Sequence, residues 1–111
     1  MRVNVRQREG VTILDLKGKI TIGVGDVALR EAIHQALAAG ANKILVNLED
    51  VSTIDSSGVG ELVSAYTTVT NRGGRLRLLN LPPKVADILQ ITQLITVFDV
   101  YEDEEEAIRS F

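Results

Sequence analysis

The chain contains no cysteine, and His34 is its only histidine. Without thiols there are no disulfides, no cysteine nucleophile and no thiolate metal site. A single imidazole restricts catalytic chemistry further, and its place in a helical pattern predicts that His34 is a solvated surface residue rather than a catalytic base. Nothing in the sequence predicts a metal ion or another cofactor.

Long apolar runs are also missing, since no stretch approaches the roughly 18 residues of a membrane-spanning helix. The first residues, Met1–Val5, alternate between apolar and polar and lack the apolar core of a signal peptide. The net charge of −3 does not favour binding to nucleic acid or to an anionic membrane, both of which are negatively charged. We therefore expect a cytoplasmic protein that neither binds nucleic acid nor inserts directly into a membrane.

What remains is ordinary globular composition, with 45% hydrophobic and 24% charged residues in a chain of 111. A chain of this length buries roughly two-thirds of its unfolded surface when it folds. No internal repeat, low-complexity tract or linker interrupts it, so residues 1–111 are expected to form one domain.

The hydrophobic pattern alternates between strand and helix periods. A hairpin of strands is predicted up to Leu16, with Gly18 as a break and residues 20–22 as a short extended continuation. The later segments are predicted as helix 26–39, strand 44–48, loop 49–57, helix 58–71, strand 76–79, helix 82–89, connector 92–95, edge strand 97–100 and helix 101–111. Strand, helix and strand in succession imply a right-handed crossover between parallel strands. The predicted fold class is α/β, with a mixed sheet of four or five strands and helices mainly on one face.

The stretch Glu49–Gly60 is predicted to leave a buried strand and enter a helix. Such an entry has unpaired backbone N–H groups and a partial positive charge, which favours an anion. Asp55, Ser56 and Ser57 are residue types that cap this end, and the glycines beside them permit close approach of a partner. From the pattern alone, Ser57 is either a helix cap or a modified or binding serine.

The motif Asp55-Ser56-Ser57-Gly58-Val59-Gly60, placed after a short apolar strand, resembles the phosphorylation loop of the STAS domain family of bacterial anti-sigma factor antagonists. The resemblance covers nearly the whole chain and implies that Ser57 is the phosphoacceptor, with Asp55 shaping the loop. The partner-binding set that it implies consists of Thr21, Gly23, Gly25, Asp55, Ser56, Gly58, Val59 and Gly60.

The resemblance also implies a function, that of a non-enzymatic switch. Unphosphorylated, the protein would bind an anti-sigma factor of the serine-kinase type and release a sigma factor. The kinase would then phosphorylate Ser57, and a metal-dependent serine phosphatase would reset it. Alternatives within the family are a module of a stress-sensing scaffold or of a lipid-transport system, and the oligomeric state, homodimer included, stays open.

One segment departs from the family pattern. Many antagonists have Gly-Glu-Leu-Asp at a turn where this chain has Gly18-Lys19-Ile20-Thr21. A lysine replaces the glutamate, and Thr21 replaces an aspartate on the partner-facing surface. This difference favours a variant partner, or a different role of the same module.

Two enzymatic alternatives are weaker. Gly23-x-Gly25-x-x-Ala28 resembles a dinucleotide fingerprint, and Asp50 follows at the spacing of a ribose-binding acid. A hairpin, however, precedes this motif where a single parallel strand belongs, so we expect the glycines to form a flexible turn on the partner-binding face. A hydrolase elbow requires Gly-x-Ser-x-Gly, which Ser57 lacks.

Overall fold

Five strands lie side by side in chain order in one mixed sheet, and four α-helices pack against it. The computed structural model describes residues 1–111. The elements are β1 (Arg2–Arg8), β2 (Val11–Ile20), α1 (Gly25–Ala38), β3 (Lys43–Ile54), α2 (Ser56–Asn71), β4 (Arg75–Leu79), α3 (Pro83–Ile91), a 3-10 turn (Leu94–Thr96), β5 (Val100–Tyr101) and α4 (Glu104–Arg109). Strand β1 is antiparallel to β2, and the other neighbours are parallel. The predicted α/β class and mixed sheet are confirmed.

The central strand β3 is buried on both faces, as its nearly continuous apolar sequence predicts. Ile44, Val46 and Leu48 face the larger core, which α1, α2 and α3 cover. Leu45 points to the opposite face, where a smaller core includes Ala107 of α4. Three helices therefore share one face and only the short α4 covers the other. None of the four helices combines the length and apolar character needed to span a bilayer.

Strands β2 and β3 are longer than the hydrophobic pattern predicts, and this changes the shape of the site. The predicted loop 49–57 is largely strand, because β3 continues to Ile54 alongside β2. The predicted break at Gly18 is wrong as well, since Gly18 lies inside β2 with a φ of +116°. The pairing shifts register beside it, which is a bulge that lets the strand continue past an irregular residue.

The last segments also differ from their predicted bounds. The edge strand lies at Val100–Tyr101 rather than 97–100, because Phe98 turns into the larger core. The last helix begins at Glu104 rather than 101, after Asp103, whose side chain accepts a hydrogen bond from the backbone N–H of Glu106. This contact is a helix N-cap.

The acidic start of α4 holds this helix to the first hairpin through ion pairs. The Arg6 guanidinium contacts Asp15 at 2.6 Å and Glu104 at 2.6 Å. Arg8 contacts Glu104 and Glu105, each at 2.5 Å. The hydrogen bond from Arg6 lowers the pKa of Glu104. Burial raises the pKa of Asp15, but hydrogen bonds from Arg6 and Asn47 outweigh it and the pKa is lowered.

These shifts predict acid sensitivity of the α4 attachment. A carboxylate whose pKa is lower in the folded state stabilises the fold above its unfolded pKa, about 4.3 for glutamate, and loses that contribution as the pH falls through the folded value. Glu104→Gln should therefore lower the free energy of unfolding by about 0.5–1 kcal/mol at pH 7 and by less at pH 3. Urea unfolding of both proteins at the two pH values measures this, and a pH-independent difference would contradict it.

Candidate functional site at the first turn of α2

Asp55 joins the start of α2 to the loop that follows β2. Its carboxylate Oδ1 accepts a hydrogen bond from the backbone N–H of Gly58, and Oδ2 accepts one from the N–H of Ile22, both at 3.0 Å. The N–H of Asp55 donates to the carbonyl of Ile20 at 3.3 Å. The backbone N–H groups of Gly58 and then Ile22 hold the pKa of Asp55 below its ordinary value. A fixed anion therefore sits at the base of the site at neutral pH.

The two serines occupy the first two helical positions, because α2 begins at Ser56 rather than near Gly58. The helix cap is Asp55, so the interpretation of Ser57 as a capping residue is wrong. Neither serine hydroxyl makes a hydrogen bond to the protein, and Ser57 is half-buried while Ser56 is exposed. Two unengaged hydroxyls thus stand where the helix end favours an anion.

Two glycines allow the first turns of α1 and α2 to rest on the end of β2. A β-carbon at Gly58 would lie 2.2 Å from the carbonyl oxygen of Ile20, and one at Gly25 would lie 1.9 Å from that of Lys19. Val59 is likewise only 6% exposed. Gly25, Gly58 and Val59 belong to the predicted partner-binding set, and the space beside both glycines is filled by backbone carbonyls of the protein itself.

The other predicted partner residues lie around an exposed loop. Gly23 is exposed with a φ of +86°, and Thr21 is half-buried, its carbonyl accepting the N–H of Asp26 at 3.2 Å. Gly60 faces open space, with no atom within 4 Å of where its β-carbon would be. The dinucleotide interpretation gains no support, since Gly25 packs against a carbonyl inside the protein.

Sequence reasoning missed two large apolar side chains beside this site. Ile22 is 73% exposed and Val24 is 65% exposed, on either side of Gly23. The signal was present, because an apolar residue flanks each side of a glycine in a turn, but we predicted Ile22 to extend the preceding strand. We use the term loop surface for residues 21–24 together with Asp55, Ser56, Ser57 and Gly60.

His34 is exposed on α1, as predicted. It lines a shallow depression with Glu61, Ser64 and Thr68 of α2. The protein also contains no group of three or more histidine, cysteine, aspartate or glutamate side chains that could hold a metal ion.

The two glycines of α2 should respond oppositely to the same change. Gly58→Ala places a methyl group against the Ile20 carbonyl and should lower the free energy of unfolding by about 1–3 kcal/mol. Gly60→Ala adds a methyl group in open space and a better helix former, so it should raise stability by about 0.5–1 kcal/mol. Urea unfolding compares the two variants, and equal effects would show that the packing at position 58 is not the constraint.

Comparison with known proteins identifies the family. The model of the STAS domain matches residues 2–107, and the chain belongs to this family. The anti-sigma-B factor antagonist of Bacillus subtilis is 30% identical over 109 residues, which cover 98% of each chain.

Solved structures agree with this assignment. A protein from Thermotoga maritima, provisionally assigned as an anti-sigma factor antagonist, superposes with a TM-score of 0.89 at 26% identity, covering 97% of this chain and 92% of its own. The Bacillus cell fate determinant SpoIIAA in its phosphorylated form superposes with a TM-score of 0.75 at 27% identity, covering 98% of each chain.

Proposed function

We propose that the protein is an anti-sigma factor antagonist whose binding is switched by phosphorylation of Ser57. The observation that carries this proposal is the unengaged hydroxyl of Ser57 in the first turn of α2, beside exposed apolar side chains. The family, and the names of the relatives, support the same function. In this proposal the protein is a binding partner and a substrate rather than an enzyme, and it acts in the cytoplasm.

The partner is an anti-sigma factor of the serine-kinase type, which brings its own ATP. Its contact area is the loop surface, where Ile22 and Val24 supply apolar area and the serines lie within reach of the kinase active site. A metal-dependent serine phosphatase removes the phosphate and resets the switch. The protein itself needs no cofactor for this cycle.

Phosphorylation switches the contact through charge. A phosphoserine carries about −1.5 to −2 charges at pH 7. At position 57 this charge stands next to the fixed carboxylate of Asp55 and the apolar side chains that the partner covers. Like charge in an interface costs several kcal/mol, so the complex should weaken by roughly a hundredfold or more.

Ser57 variants test the switch. Ser57→Ala should bind the anti-sigma factor as tightly as the unphosphorylated wild-type protein does, and ATP should not weaken this complex. Its free energy of unfolding should change by no more than about 0.5 kcal/mol, because Asp55 is the helix cap. Ser57→Asp should weaken binding by less than phosphate does, since it carries only part of the charge. Titration calorimetry with the purified anti-sigma factor gives the affinities, and Ser56→Ala is the matched control that should still be phosphorylated once.

Two outcomes would contradict the role of Ser57, and a third would favour a different kind of partner assembly. Phosphopeptide mapping that places the phosphate on Ser56 would remove the assignment of the acceptor. Equal affinities of the wild-type protein, Ser57→Ala and Ser57→Asp would show that position 57 has no role in the contact. A large assembly on a sizing column, in place of a one-to-one complex, would favour the stress-scaffold alternative.

The apolar part of the contact has its own test. Ile22→Ser and Val24→Ser should each weaken the complex by about tenfold, because each removes apolar area that the partner covers. Neither should change stability much, since both side chains are already in water. Ile91→Ser is the control, because Ile91 is 82% exposed but lies at the end of α3. Equal affinity of the Ile22 and Ile91 variants would exclude the loop as the contact.

A further inference from the structure

Helices α1 and α2 begin at the same end of the sheet and run side by side. Both follow strands of the parallel part of the sheet, so they point in the same direction, and both first turns rest on the end of β2. Asp26 and Ser57 are the second residues of their helices, and Arg30 and Glu61 are the sixth. Each pair therefore lies at a similar level along the two helices.

Arg30 and Glu61 form the ion pair between the two helices. Nε and Nη2 of Arg30 donate to the same oxygen, Oε1 of Glu61, at 3.0 and 2.5 Å. The Glu61 side chain is only 15% exposed, whereas that of Arg30 is 48% exposed. The guanidinium thus uses one carboxylate oxygen and remains accessible to a second anion.

This ion pair lies over the turn that contains Ser57. Ser57 precedes Glu61 by four residues, so the two side chains share one face of α2. Side chains of a helix lean toward its N-terminus, which brings the Glu61 carboxylate, and the Arg30 guanidinium bound to it, back toward Ser57.

Arg30 is also the only cation of this region. Residues 20–31 and 55–62 contain four acidic residues, Asp26, Glu31, Asp55 and Glu61, and no lysine or arginine besides Arg30. Lys19 precedes Ile20 in β2, and since Ile20 faces the larger core, Lys19 points to the opposite face of the sheet. A phosphate on Ser57 would therefore have Arg30 as the one guanidinium of these segments, against the carboxylates of Asp55 and Glu61.

We infer that Arg30 is the counter-ion of a phosphate on Ser57, and that its guanidinium moves from Glu61 to the phosphate when Ser57 is modified. This inference rests on the proposed function for the identity of the modified residue. A phosphate carries more charge than a carboxylate and offers three acceptor oxygens, which the forked guanidinium matches. The exchange releases Glu61, so phosphorylation changes the α1–α2 contact as well as the charge of the loop surface.

The test places phosphoserine at position 57 during synthesis, by genetic encoding, and follows its second ionisation by phosphorus-31 NMR. Arg30→Gln should raise that pKa by about half a unit, the size expected for an exposed ion pair. Arg30→Lys should give an intermediate value, because it keeps the charge but not the fork. Arg72→Gln is the control, since Arg72 follows the far end of α2, roughly 22 Å from Ser57, and should cause no shift.

Glu61→Gln completes the measurement. It should lower the pKa of the phosphoserine, because it removes a neighbouring anion and frees the guanidinium. In the Arg30→Gln background the same change should have a smaller effect, since only the anion is then removed. Additive shifts, or an Arg30→Gln value equal to that of Arg72→Gln, would overturn the inference.

Amide spectra of each variant establish that the fold is retained. The phosphate is installed without a kinase, so this result does not depend on finding the partner. A kinase that never modifies Ser57 would defeat the proposed function and leave the pKa comparison intact, whereas equal pKa values would defeat only the role of Arg30.

Discussion

The carbonyl groups of Lys19 and Ile20, at the end of β2, set the positions of the two helix N-termini around which the site is built. The first turns of α1 and α2 meet these carbonyls at Gly25 and Gly58, where even a β-carbon would collide with backbone. Packed interiors do not deform continuously, so this contact sets the height and spacing of both helix N-termini. The exposure of the loop surface follows from this contact, because the chain between β2 and α1 has to turn outward around the packed helix N-termini.

Asp55 adds an electrostatic constraint to this steric one. The Asp55 carboxylate accepts hydrogen bonds from the backbone N–H groups of Gly58 and Ile22, and so holds the start of α2 and the loop after β2 in a single arrangement. These charge-assisted hydrogen bonds require the ionised form, which the lowered pKa of Asp55 maintains. Because Asp55 is the N-cap of α2, neither serine hydroxyl is needed to cap the helix, and both are left without a hydrogen bond to the protein.

The sequence predicts the fold well because the strand and helix periods are strong and each buried segment has few alternatives. The central strand β3 and the amphipathic helices α1 and α2 illustrate this. The length of β3 could not be predicted, because residues 49–54 are polar enough to suggest a loop and become strand only by pairing with β2. Such a pairing depends on tertiary context and not on local propensity.

The site could be predicted only in part, because some of its features are local in the sequence and others depend on tertiary contacts. The motif around Ser57 is local, so its position at a helix start followed from the sequence. The roles of Gly25 and Gly58 did not, since a glycine that admits a partner and one that admits a neighbouring carbonyl have the same sequence pattern. The exposure of Ile22 and Val24 and the Arg30–Glu61 pair also depend on how separate segments meet.

This arrangement suits a switch that acts on a surface rather than on the fold. A phosphate at the second residue of α2 gains from the partial charge of the helix end, but Asp55 already occupies part of that end. If Ser57 is phosphorylated as proposed, the gain from the helix end and the repulsion from Asp55 oppose each other, so we expect a small net effect on stability. In the proposed switch the added charge therefore acts where it is exposed, beside Ile22 and Val24, and through Arg30 on the contact between α1 and α2.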